Sequence, residues 1–404
     1  MLDFGLKKNK DAQPWQRYQA IYLHVPFCVQ KCLYCDFASY AGFNNEQKWQ
    51  YAQAVVQEIA ARREEAQYVA DGATIYFGGG TPSTLTAENI AELVDALKKY
   101  GFWQNPREAT IEVNPGTADL EKLKLLRALG FDRISFGVQS LQDEELRTIG
   151  RIHTAQQALE AVALAKEAGF ERISADLIYG LPGQTLASLR DTLARLMATG
   201  IKHVSVYGLI VEEETPLARL VDNGKMQLPD EDETADMYEL VQNFLHEAGF
   251  ARYEISNYAK NKQYSRHNTV YWQYHPYLAF GAAACGYDGS ARRTATESVE
   301  KYCTQAEKLA SANWRASELY TIEELTSDVQ LEEFMFMGLR QSAGANLLEA
   351  CERFGVDVMQ KFGAELENFL RGGFVEYDAE QEILRLTERG MAVGNQIFDV
   401  FVIN

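Results

Sequence analysis

Four times in this chain a glycine at the end of a helical stretch is followed by an apolar residue and then by a strand: LGFDRIS (129–135), AGFERIS (168–174), TGIKHVS (199–205) and AGFARYEIS (248–256). A glycine that closes a helix and feeds a strand within a few residues is the joint of a strand–helix repeat. The stretches between these joints agree. Strands are expected over AIYLHV (20–25), ATIYF (73–77), EATIEVN (108–114), RISFGVQ (133–139), RISADLIYG (172–180) and HVSVYGLIV (203–211). Amphipathic helices fall between them, among them NNEQKWQYAQAVVQEIAARREEA, one opening at Thr86, and TAQQALEAVALAKEAG. Strand then helix, repeated, predicts an α/β chain with a parallel sheet, as a partial or full (β/α) barrel. A doubly wound open sheet is the alternative on pattern alone.

At 404 residues the chain can hold one large domain and a smaller one. Residues 1–19 read as a loosely held polar lead-in and 20–300 as the barrel domain. The acidic EEET and PDEDET runs between about 212 and 234 read as a solvated face. Residues 252–295, rich in Tyr, Gly and Ala, carry no clear period. From 301 to 404 the pattern turns helical and closes on a short strand followed by a helix, a smaller, mainly helical C-terminal domain.

The chemistry concentrates in IYLHVPFCVQKCLYCDF (21–37), where Cys28, Cys32 and Cys35 follow the first strand with the spacing C-x3-C-x2-C. Three thiolates on one loop can hold an iron–sulfur cluster or recruit a fourth ligand for zinc. His24, within an alternating strand, is a poor fourth ligand. A three-cysteine [4Fe–4S] cluster leaves one iron open to a small molecule, and Phe27, Val29, Leu33 and Tyr34 would shield it. A disulfide cannot pair three cysteines, and nothing else in the chain suggests a secreted protein.

With 47% hydrophobic and 24% charged residues the composition is that of a globular protein, and a net charge of −18 argues against a surface that tracks nucleic-acid phosphates. No apolar run approaches the ~18 residues of a membrane span, and the start has no apolar signal core, so a cytoplasmic protein is expected.

GGGTPS (78–83) follows the second strand directly; its glycines could bring backbone N–H groups close to a ligand, or serve tight packing. Glu112 falls near the end of the third strand, Gln139 just past the fourth, Arg151 in the loop that follows and Asp176 within the fifth, and polar groups arriving at one rim of a barrel make a ligand site.

Taken together, the cysteine loop with Tyr34 before its last cysteine, then GGGTPS, resembles the radical S-adenosylmethionine (SAM) superfamily. HVPFC, IEVNPG, SFGVQS, GRIHT, SADLIYGLPGQT and GLIVEEETPL extend the resemblance to the branch of oxygen-independent coproporphyrinogen III oxidases and their haem-chaperone relatives, HemW. That resemblance implies that Cys28, Cys32 and Cys35 hold a [4Fe–4S] cluster whose open iron binds the amino and carboxylate groups of SAM. Tyr22, Tyr34, Gly79, Gly80, Thr81, Glu112, Gln139, Arg151 and Asp176 match positions that family members use around SAM. An electron passed through the cluster would cleave the sulfonium to a 5′-deoxyadenosyl radical. Where the oxidases carry a fourth cysteine two residues after the third, this chain has Phe37, which with GLPGQT points to the chaperone branch. The implied cargo is haem and the implied partners are haem-acceptor proteins, membrane-bound or not, with a homodimer left open. Decarboxylation of porphyrinogen propionates is the alternative, and a zinc-stabilised binding module the remote one.

HNTVYW (267–272) is similar to the H-N-x-x-Y-W motif those relatives use for haem, which makes His267, Asn268, Tyr271 and Trp272 haem candidates. An imidazole ligates haem iron well, and Tyr271, Trp272 and Tyr274 offer flat apolar surface; a histidine bonded among packed aromatics is the competing arrangement. Cys285 stands where relatives often have histidine, and is read as a neutral exchange. Cys303 and Cys351 are expected to be small buried residues.

Overall fold

The computed structural model describes residues 6–309 and 314–403. Six strands run parallel in chain order: β1 (Tyr18–Val25), β2 (Val69–Gly79), β3 (Ala109–Val113), β4 (Arg133–Gln139), β5 (Arg172–Tyr179) and β6 (His203–Gly208). Helices α1 (Asn45–Ala61), α2 (Ala87–Lys99), α3 (Leu120–Leu129), α4 (Asp143–Thr148), α5 (Ala155–Glu167) and α6 (Leu186–Ala198) connect them. Because each new strand is added beside the last, the sheet is wound in one direction only, and the doubly wound alternative is set aside. β1 and β6 do not pair, so the barrel stays open.

The sheet continues past both edges. After α7 (Pro216–Asp222) and α8 (Glu231–Glu247), β7 (Ala251–Arg252) and β8 (Asn257–Ala259) extend it beyond β6. After α9 (Arg266–Trp272), β9 (Tyr277–Phe280) joins β1, followed by β10 (Cys285–Tyr287) and β11 (Ala291–Ala295). Helix α10 (Val299–Lys308) packs beside α1, and β12 (Tyr320–Glu324) closes that edge.

Local chemistry fixes the joints. Gly130, Gly169, Gly200 and Gly249, the four repeat glycines, all take positive φ, between 75° and 114°, where a side chain would be strained. Asn44, Thr86, Asp119, Thr154, Thr185 and Asp230 each cap a helix by accepting a backbone N–H in its first turn.

Alternation along the strands then divides the sheet into two faces. Ile21, Leu23, Ile75, Phe77, Ile111, Ile134, Phe136, Leu177 and Val204 face the helices in one apolar core. The intervening residues, Tyr22, Tyr76, Thr110, Glu112, Arg133, Ser135, Ser174, Asp176, His203 and Ser205, occupy the opposite face, inside the open barrel. Parallel strands buried on both sides are usually apolar throughout. A polar interior is therefore a cost to the fold that points to a ligand.

The first core continues through Val299, Tyr302, Ala306, Leu309, Trp314 and Leu319, so the sheet unit runs to Glu324 and past the division expected at 300/301. A second core gathers Leu331, Phe334, Met335, Leu339, Leu366, Leu384 and Phe401. It is built by α11 (Ser327–Leu339), α12 (Leu347–Phe354) and α13 (Val358–Arg371) on a three-stranded antiparallel sheet of β13 (Ala345–Asn346), β14 (Val375–Asp378) and β15 (Ile383–Leu386). The lead-in is not loose where it is described: Lys7 N–H donates to the Gln16 carbonyl at 2.7 Å and the Arg17 guanidinium donates to the Val69 carbonyl. Residues 1–5 of it lie outside the described residues. Among the described residues no helix is long and apolar enough to cross a membrane.

Candidate functional site

A cavity of about 550 Å³ opens at the C-terminal ends of the parallel strands. Cys28, Cys32, Tyr34 and Cys35 line it from the loop after β1, Gly79, Gly80 and Thr81 from the end of β2, and Glu112, Gln139, Arg151 and Asp176 from β3 to β5. Of the residues predicted for this site only Tyr22 is off the wall. It lies one layer deeper, its ring 6.2 Å from Tyr76 and its hydroxyl 2.9 Å from His24 Nδ1.

The cysteine loop is fastened at both ends and in the middle. Cys28 N–H donates to the Tyr40 carbonyl (2.9 Å), and Tyr40 N–H to that of Pro26 (2.8 Å). At its crest Leu33 N–H donates to the Ile149 carbonyl (3.0 Å) and Gln30 Nε2 to that of Gly150 (3.0 Å). Ile149 and Gly150, where GRIHT begins, thus form the shelf on which the loop rests. Each sulfur has a donor beside it: Thr81 Oγ1 is 3.6 Å from Cys28 Sγ, Arg151 Nη1 is 3.5 Å from Cys32 Sγ, and Ser39 Oγ is 3.9 Å from Cys35 Sγ. Burial pushes the Cys35 thiol up, while the Phe37 N–H and the Ser39 hydroxyl pull it down. Phe37 itself is 70% exposed at the cavity mouth. Among the described residues no three His, Cys, Asp or Glu side chains converge closely enough for a single metal ion.

The glycine loop is explained by packing. A Cβ on Gly78 would meet the Tyr76 ring at 2.8 Å, one on Gly79 the His24 ring at 2.5 Å, and one on Gly80 the Phe27 carbonyl oxygen at 2.8 Å. The expectation that this loop leaves N–H groups free for a ligand is corrected. Gly79 N–H donates to Glu112 Oε2 (3.2 Å), Gly80 N–H to the Val25 carbonyl (2.9 Å) and Thr81 N–H to that of Phe27 (2.7 Å).

Two half-buried carboxyls on the cavity wall dominate the electrostatics. Glu112 accepts from the Tyr76 hydroxyl at 2.6 Å, and burial, with Asp176 adding repulsion, pushes its carboxyl up to about 7. Burial also raises Asp176, against the hydroxyls of Ser205 and Ser135 and the Arg133 guanidinium. Two half-buried carboxyls on the wall of an open pocket suit a positively charged ligand. Gln139 is held at φ +64°, where the β4–β5 register slips, and Arg151 Nε is buried without a hydrogen-bond partner.

Sequence reading overlooked Asn114, which donates to Thr81 Oγ1 (2.9 Å) and accepts from Arg151 Nη2 (3.0 Å). Its position two residues past Glu112, on the same strand face, is the signal that could have found it.

HNTVYW lies elsewhere. Helix α9 plugs the opposite, N-terminal end of the barrel, where Arg266 and His267 N–H donate to the Glu108 carboxylate at 3.0 and 2.9 Å. His267 is fully buried, with Nδ1 2.9 Å from Thr74 Oγ1 and Nε2 2.7 Å from the Tyr271 hydroxyl, and burial pushes it down to about 3. Tyr271 packs edge-on against Tyr277 at 4.6 Å. Trp272 lies 6.0 Å from the Arg340 guanidinium, and Asn268 N–H donates to Ser265 Oγ at 3.4 Å. The four stand together, away from the cavity, in the packed arrangement named above as the competitor. His24 is likewise held, its Nε2 donating to the Ala38 carbonyl at 3.0 Å. Cys351 is exposed rather than buried; Cys285 and Cys303 are half-buried.

Comparison with known proteins identifies both parts of the chain. The Radical SAM superfamily pattern matches residues 22–196, and the HemN C-terminal domain pattern residues 325–393. The protein "Heme chaperone HemW" of Bacillus subtilis is 35% identical over 95% of this chain and 99% of its own length. That of Lactococcus lactis is 33% identical over 96% and 98%. Among solved structures, Escherichia coli coproporphyrinogen III oxidase superposes with a TM-score of 0.80 at 23% identity, covering 96% of this chain and 91% of that one, a likeness of fold. The superfamily implies a [4Fe–4S] cluster and SAM. Three partly exposed cysteines, each with a donor beside its sulfur, on a cavity with half-buried carboxyls and an unpaired Arg151 Nε, fit that pair.

Proposed function

This chain belongs to the radical SAM superfamily and within it to the HemW family, and we propose that in the cytoplasm it binds haem and delivers it to acceptor haemoproteins, membrane-bound or not. Cys28, Cys32 and Cys35 hold the cluster. Tyr34, Gly79, Gly80, Thr81, Glu112, Gln139, Arg151 and Asp176 surround SAM, with Tyr22 supporting them from the layer below. When bound, the cluster and SAM supply one-electron chemistry at the sulfonium. The protein's residues orient that pair: Arg151 holds the cysteine loop against β4, and the Glu112 and Asp176 carboxyls face the cationic ligand. We assign haem to His267, Asn268, Tyr271 and Trp272. Because both ring nitrogens of His267 are engaged, ligation exchanges the Tyr271 hydroxyl for iron and moves α9. Two folding units, divided near residue 325, carry these sites.

The observation that carries the reading is the set of three cysteines, each sulfur with its donor, on a cavity walled by half-buried carboxyls, in a chain that matches relatives named heme chaperones along nearly all its length. Anaerobic reconstitution followed by haemin titration should give a saturable Soret shift that weakens in His267→Ala. No shift at stoichiometric haemin sinks the haem assignment. Formation of protoporphyrinogen from coproporphyrinogen would make the chain a decarboxylating oxidase instead, and zinc in place of roughly four irons per chain would remove the radical chemistry altogether.

A further inference from the structure

Between the cofactor cavity at one end of the barrel and the α9 plug at the other lies Tyr76, in contact with the wall residue Glu112 on one side and with His267 on the other. We propose that Tyr76 is a positioning residue that couples α9 to the cofactor cavity. Its hydroxyl donates to Glu112 Oε1 at 2.6 Å. Its ring lies against the His267 imidazole, with centroids 4.9 Å apart and planes at 32°. Gly78 keeps the junction clear, since a Cβ there would strike the Tyr76 ring at 2.8 Å and Glu112 Oε2 at 3.2 Å.

The coupling follows from how little freedom each member has. His267, held by Thr74 of β2 and Tyr271 of α9, lies against Tyr76, which is held by Glu112 of β3, so a shift of His267 away from Tyr271 changes the surface on which the Tyr76 ring rests. The ring cannot tilt without withdrawing its hydroxyl from Glu112. Packed interiors respond to such a shift by switching between arrangements, not by deforming smoothly. An event at α9 therefore alters the Glu112 carboxylate on the cavity wall, and a cation bound over Glu112 tightens the hold on α9; the two effects are equal by linkage.

A titration of Glu112 reports this contact. Facing it are Tyr22 from β1, Tyr76 from β2, Arg133 from β4, Asp176 from β5 and Tyr271 from α9. The Tyr76 hydroxyl favours its charged form and burial opposes it, so loss of that hydroxyl moves the carboxyl further up.

The test is SAM binding by calorimetry on the anaerobically reconstituted protein with its cluster oxidised, across pH 6 to 9. Tyr76→Phe should weaken SAM about fivefold at neutral pH and move the midpoint of the pH dependence upward. His267→Gln, far from the cavity wall, should change SAM affinity about threefold or more. In the wild type, SAM should slow hydrogen exchange across residues 266–272. If both variants bind SAM within twofold of wild type with an unmoved midpoint, or if exchange over 266–272 ignores SAM, the coupling is refuted. The exchange measurement stands even where a variant fails to fold. A haemin arm rests on the proposed haem site: haemin and SAM should change each other's affinity by one common factor. If haemin does not bind at all, that assignment fails while the SAM measurements still decide the coupling.

Discussion

Replacing Glu108 by glutamine should loosen the α9 plug before anything else in the barrel. The carboxylate is fully buried and makes three bonds, with Arg172 Nη2 at 2.5 Å and with the N–H groups of Arg266 and His267. Glutamine keeps the volume but has one accepting oxygen, and its NH₂ faces a donor. Breaking a buried ion pair from one side costs about 3–5 kcal/mol. Arg172 is 17% exposed and keeps Asp132 at 3.3 Å, so roughly 2–3 kcal/mol is the expected loss. With an unfolding entropy of about 2.1 cal/mol/K per residue, that lowers the melting temperature by about 3 °C. The assay is a thermal melt of the cofactor-free protein with hydrogen exchange read over residues 266–272, where exchange should accelerate first. Asp132→Asn, at a half-exposed site, is the control and should change little. Should Glu108→Gln melt within about 1 °C of wild type with exchange at α9 unaltered, the claim that Glu108 holds the plug is wrong.

Three further outcomes are expected. Glu112, raised from an ordinary 4.5 to about 7, binds a proton more tightly folded than unfolded, so its contribution to stability is present at low pH and lost as pH rises through that window. Glu112→Gln should therefore gain on the cofactor-free wild type between pH 5 and 8, by up to about 3 kcal/mol, and parallel melting profiles would show the carboxyl is not perturbed. Gly80→Ala puts a Cβ 2.8 Å from the Phe27 carbonyl oxygen and 3.0 Å from that of Val25, backbone that carries the cysteine loop; iron per chain after reconstitution should fall by about half or more. Gly363→Ala, which meets only Met359 Cε at 4.0 Å, should load iron normally. Phe37→Ser, at a 70% exposed position, should shift the melt by no more than about 1 °C and retain full iron loading; a larger loss would give Phe37 a packing role it does not have here.

The barrel was legible because its signals are local. Gly130, Gly169, Gly200 and Gly249 announced helix ends and sit at positive φ, and β4 fell on the residues its alternation predicted. Strands β7 to β11 were not legible: two to five residues long, they hold no period of their own and exist because β1 and β6 offer unpaired edges. The boundary expected at residue 300 moved for a related reason. Helix α10 looks like the start of a helical domain, yet Tyr302 donates to Glu58 Oε2 at 2.5 Å across 244 positions, a tie no local pattern carries.

The site divides along the same line. Strand-end residues were found because a strand's period fixes which side chains share a rim; for the glycines both readings were open, and the packing one could not be chosen from sequence, since what fills the space beside them comes from His24 and Phe27. His267 is the sharpest case. Its residue type and neighbours suggest a ligand, while its position is decided by Glu108, 159 positions earlier, which draws α9 into the barrel. If His267 ligates haem iron as proposed, the bonds that bury it oppose that use, because Nε2 would be freed only by breaking its bond to Tyr271. Apparent affinity would fall by the fraction of molecules in that freed form. In the haem-carrier reading proposed above such a penalty would serve release: the energy that seats α9 would work against haem retention, and whatever strengthens the Tyr76–Glu112 contact would favour release.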